Sequence, residues 1–110
     1  MTDIATLSLY RGDTLKYTWS RAGSTPDLAG ATARMQIRDR YRNLLADAAA
    51  VGSIAVDPAA GTVTVTLPAA VTAQFPPGAH KFDLELTLAD GTVVTVAAGF
   101  VQVLEDVTHN

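Results

Sequence analysis

Between Lys81 and Leu88 the chain alternates strictly: Phe82, Leu84, Leu86 and Leu88 are apolar, whereas Lys81, Asp83, Glu85 and Thr87 are polar. A period of two places every apolar side chain on one face of a β-strand, so this stretch must cover a core with that face. Asp90-Gly91 follows at once, and such a pair between two periodic runs is a strong hairpin signal. The partner run, 92–105, changes phase: Val94 and Val96 share one parity, Val101 and Val103 the other. One extra residue swaps the faces of a strand, which predicts a bulge near Ala98-Gly99.

The same grammar runs through the rest of the chain. Residues 4–10 alternate, Arg11-Gly12-Asp13 reads as a turn, and Leu15, Tyr17 and Trp19 face one way on a second strand. A loop over 22–27 precedes a third strand, 31–38, with Ala33, Met35 and Ile37 inward and Arg34 and Arg38 on the polar side. Residues 39–43 turn the chain, and 44–50 return as a strand, with helical turns over 45–51 as the alternative because Ala and Leu favour helix. Strands at 54–56 and 62–67 flank the Asp57-Pro58 turn. Pro68 opens a short helix over 69–74, which Pro76-Pro77-Gly78 ends. The expectation is a single all-β domain over 1–110: an antiparallel, Ig-like β-sandwich of about seven or eight short strands with one short helix near 69–74.

Composition narrows the function classes. The 110 residues are 48% hydrophobic and 17% charged, with a net charge of −3 and no cysteine. That balance speaks against a free-standing nucleic-acid binder, and zero cysteine excludes disulfides and thiolate chemistry. No apolar run approaches the roughly 18 residues of a membrane span, and the start lacks the features of a signal peptide. There is no Gly-x-Ser-x-Gly elbow, phosphate loop or His-Glu-x-x-His pair. His80 opens the amphipathic strand, where an edge or rim position is expected, and His109 is expected to be exposed. His80 and Asp83 are three apart on a strand and face opposite ways; Asp83 and Glu85 share the solvated face. No catalytic residue, metal site or cofactor is expected, nor a nucleic-acid or membrane partner.

Charge is uneven along the chain: residues 1–56 carry seven cations and five carboxylates, whereas 57–110 carry one and six. Arg34, Arg38, Arg40, Tyr41 and Arg42 form a basic tip with one aromatic, the composition of an interface hot spot. Of the seven aromatics, Tyr17, Trp19, Phe82 and Phe100 fall on apolar stripes and are expected in the core; Tyr10 and Tyr41 are left as surface candidates. A basic patch and acidic strands on one small protein suit head-to-tail contacts between copies. Residues 1–5 or 105–110 could add as arms to a neighbour's sheet edge.

Read together, these segments resemble the small β-sandwich domains of tailed-bacteriophage structural proteins, including the N-terminal domain of upper baseplate proteins. The pieces that carry the likeness are Leu9-Tyr10-Arg11-Gly12-Asp13-Thr14, 33–38, 61–68, 72–78, 82–85, Asp90-Gly91-Thr92 and 101–108. Two positions depart from it: His80 stands where an aromatic is common, and Arg42 where the hairpin often carries Gly. The resemblance implies a virion structural protein, a tail or baseplate component present in many copies among other virion proteins, assembled in the host cytoplasm. With no fibre or receptor-binding extension before Asn110, it implies a stand-alone component. A capsid decoration protein and a carbohydrate-binding or cell-surface module are the alternatives.

Overall fold

The computed structural model describes residues 2–105. Eight strands follow in chain order: β1 (Asp3–Tyr10), β2 (Leu15–Ser20), β3 (Thr32–Arg38), β4 (Leu44–Asp47), β5 (Ser53–Asp57), β6 (Thr62–Leu67), β7 (Gly78–Thr87) and β8 (Val93–Leu104). Two single-turn helices, α1 (Ala48–Val51) and α2 (Ala69–Thr72), interrupt them. The strands form a five-stranded sheet, β1-β8-β7-β3-β4, facing a three-stranded sheet, β2-β6-β5. This is an Ig-like sandwich: the larger sheet is built on the third, seventh and eighth strands, and the second, sixth and fifth oppose it.

Inward parity follows the sequence pattern. Met35, Ile37, Phe82, Leu84 and Leu86 from the larger sheet meet Trp19, Val63, Val65 and Leu67 from the smaller one, all buried. Tyr17 and Phe82 join the sheets edge to face, ring centroids 5.8 Å apart at 69°, the arrangement the ring quadrupoles favour. Two loop residues without periodicity close the ends of the core. Leu28, from the 21–31 loop, and Phe75, after α2, are both fully buried.

Four details differ from the sequence expectation. β1 pairs parallel to β8 (Asp3↔Ala97 through Tyr10↔Leu104), so the sandwich is not antiparallel throughout. This pairing also occupies Asp3 to Ala5, which therefore cannot form a free arm; residues 106–110 lie outside the described residues, His109 among them. The run after Leu44 is strand only to Asp47, whose carboxylate accepts from the Ala49 amide at 3.2 Å and caps a helical turn of alanines. Capping and alanine propensity together win over the strand there. Pro68 caps α2 from outside instead of opening it.

The phase change in β8 is real, but its extra residue is Val96: Leu84 pairs with Ala97 and Glu85 with Thr95. Val96 and Ala97 are consequently both buried, and every later even-numbered residue faces outward. Gly99, where the bulge was expected, serves another end. A Cβ built there would run into the Ala5 carbonyl of β1, so Gly99 is what lets the first strand approach the last.

Candidate functional site

The β3–β4 hairpin builds the basic tip from backbone hydrogen bonds. Asp39 N–H donates to the Asn43 carbonyl and Arg42 N–H to the Asp39 carbonyl, both at 3.0 Å. The Asp39 side chain locks the turn: Oδ1 accepts from the amides of Tyr41 (2.8 Å) and Asn43 (2.9 Å), and Oδ2 from Asn43 Nδ2 (3.0 Å). These donors, the Asn43 amide foremost, hold the Asp39 carboxyl below its ordinary value of 3.8. Arg42 completes the turn in the left-handed region, with φ of 68°. That conformation suits glycine and costs about 1–2 kcal/mol for a residue with a Cβ.

Side chains around the turn converge on the outer face of the five-stranded sheet. Arg38 reaches the Arg42 carbonyl and Gln36 Oε1, both at 3.0 Å, which stiffens it across the base of the tip. Arg40 lies over the Tyr41 ring, 4.8 Å from its centre, and donates to the Tyr41 hydroxyl at 2.7 Å. In register, Arg38 stands directly opposite Lys81 on β7, a like-charged pair. Such pairs cost stability. One strand along, Lys81 stands opposite Phe100 on β8.

Together these groups border an open groove of about 520 Å³, in which Arg38, Arg40, Arg42 and Lys81, with the carboxylates Asp39 and Asp83 among them, share a surface with apolar Ile4, Ala98 and Phe100. Ile4 is 79% exposed and Phe100 45% exposed. Phe100 is thus no core residue, contrary to the sequence expectation. The signal was present: it has the opposite parity to the buried Val101 and Val103, so those two residues already point it outward. Lys81 and Ile4 went unnoticed because neither belongs to a charge run or an aromatic cluster in the linear sequence.

The remaining predicted residues fall apart from this groove. Arg34 stands opposite Glu85 and borders a shallow polar recess with Gln36 and Asp83. Tyr10 is 51% exposed at the far corner of the same face, opposite Leu104. Tyr41, 69% exposed, lines a second recess, of about 380 Å³, with Pro76, Pro77 and His80. His80 lies near the start of β7, one residue beyond the last pairing of that strand with β3, and is buried there although it borders the recess. β7 lies between β8 and β3, the ring is buried, and Nε2 bonds the Pro76 carbonyl at 2.6 Å while Nδ1 has no partner.

The chemistry available is therefore recognition: planar guanidinium groups for carboxylates beside a patch of apolar surface. Among the described residues, no group of three or more His, Asp or Glu side chains is placed to hold a metal ion. No family model matches the sequence. No curated protein matches it either. The structure is similar to the crystal structure of CopC from Methylosinus trichosporium OB3b, with a TM-score of 0.51 over 97% of this chain and 89% of that chain, at 13% identity. At that identity the likeness is one of fold, and the chain takes its place among β-sandwiches.

Proposed function

We propose that this chain is a structural protein of a bacteriophage virion, a tail or baseplate component that acts through protein–protein contacts in many copies. Its work is static: a rigid sandwich holds contact surfaces in fixed positions, without catalysis or cofactor. The observation that carries this reading is the groove on the outer sheet face, where four cations and exposed Ile4 and Phe100 share one surface. Desolvated apolar anchors beside arginines are what protein interfaces concentrate at their centres. The phage-like turn and strand motifs, spread over nearly the whole chain, supply the setting.

Purified particles of the phage whose genome encodes this chain provide the test. Mass spectrometry is expected to find it in the particle, and a reconstruction to place it at symmetry-related positions with the groove covered by a neighbour. Exchanging Arg40 and Arg42 for Glu is expected to lower incorporation about tenfold or more, equivalent to about 1.4 kcal/mol of contact energy. Particles that lack the chain altogether would overturn the reading.

A further inference from the structure

The fold sorts charge by position along the molecule in a way the linear halves of the sequence do not. The 21–31 loop, the 58–61 turn and the 88–92 hairpin meet at one end: Arg21 N–H donates to the Gly61 carbonyl, and Gly30 packs against Ala89. The 11–14 turn, the 39–43 tip and the 76–80 segment meet at the other, joined by the Thr72 bond to the Asp13 carbonyl and by the recess between Tyr41 and Pro76. The long axis between these ends measures 45 Å.

Asp27, Asp57 and Asp90 project at the first end, where Arg21 is the one cation among the described residues. Among the described residues, Arg11, Lys16, Arg38, Arg40, Arg42 and Lys81 lie toward the second end, against Asp13, Asp39 and Glu105.

At each end a minority charge is bound internally, Arg21 at the first and Asp39 at the second. The Arg21 guanidinium donates to the carbonyls of Pro26 (3.1 Å) and Pro58 (3.4 Å). Asp39 uses both of its oxygens inside its own turn. Of the majority charge, Arg38 and Arg40 make local bonds to uncharged groups and so keep their net charge. Asp27 and Asp57 accept at Oδ1 from the Ala29 and Ala60 amides, and Asp90 accepts from the Thr92 amide and side chain, so each carboxylate keeps its charge against neutral donors.

We propose that copies of this chain associate end to end, the basic end of one against the acidic end of the next. The proposal deepens the multi-copy reading above, rests on it for the supply of copies, and names the partner as a second copy of this chain. The two surfaces differ, so the contact is heterologous and repeats into a ring or a stack. An end of 26 by 23 Å offers roughly 600 Å² per partner, against about 800 Å² in a standard interface. One contact is therefore weak and salt-sensitive, and repetition holds the array together.

Sedimentation velocity on the full chain tests this, across protein concentrations up to about 1 mM at about 20 mM and about 500 mM salt, which span long and short screening lengths. The average mass is expected to rise with concentration at low salt and to return to the 11.5 kDa monomer at high salt. A variant with R40E, R42E and K81E has two acidic ends; one with D27N, D57N, D90N, A59K and A60K loses its acidic end and keeps the Asn acceptors that hold the turns. Each alone is expected to stay monomeric, and an equimolar mixture to associate.

Monomeric wild type throughout the low-salt series overturns the proposal without reference to any variant. Association that survives either charge change, or a mixture of folded variants that stays monomeric, overturns it as well. A chain found in particles yet monomeric in these solutions removes end-to-end contact and leaves the virion role standing; association in solution by a chain absent from particles does the reverse.

Discussion

Arg42 holds a left-handed backbone that a glycine would hold at lower cost, and Lys81 faces Arg38 where a carboxylate would be favoured. Both choices trade stability for positive charge at one place. Arg42→Gly and Lys81→Glu are accordingly expected to raise the unfolding free energy, each by about 0.2–1 kcal/mol, while weakening contacts at the groove. Urea denaturation checks the stability; a drop in either midpoint would show that the cations stabilise the hairpin. Asp39 and Asp90 work in the opposite direction. The Asn43 amide lowers the first carboxyl and the Thr92 side chain and amide the second, so folding favours their ionised forms. That contribution is present above the ordinary carboxylate value of 3.8 and is lost as pH falls through the lowered values. The thermal midpoint is expected to decline below about pH 4, and to decline less steeply in a D39N/D90N variant; identical slopes would remove the two turns from the acid response.

At the scale of elements, much was legible because alternation survives without knowledge of partners. β2, β3, β6 and β7 are where their apolar parity puts them, and the end of β8 is inward at Val101 and Val103. What alternation cannot carry is pairing. Nothing in 3–10 distinguishes an antiparallel partner from the parallel one it takes. Nor does periodicity reach Leu28 and Phe75, which are buried from loops by the geometry of the sandwich ends. The groove was half legible: its arginines form a run in the sequence, whereas Lys81, Ile4 and Phe100 reach it only through strand register. Gly99 is the element-scale weak point. Gly99→Ala sets a Cβ against the Ala5 carbonyl and is expected to cost at least about 2 kcal/mol by prising β1 from β8. An unchanged urea midpoint would mean that β1 yields without loss.

For the whole molecule, the linear charge asymmetry misled in one respect. The division into a basic first half and an acidic second half is not a division in space, since Asp27 and Asp57 share an end with Asp90, and Lys81 joins the arginines. Strands that run back and forth interleave the two halves, and only the loops at each end keep their identity. The parallel pairing of β1 with β8 joins two strands more than ninety residues apart, Tyr10 beside Leu104. During synthesis β1 leaves the ribosome well before β8, its one sheet partner among the described residues, and has no strand to pair with until β8 has emerged. The larger sheet is thus completed late, by a strand made before the other seven.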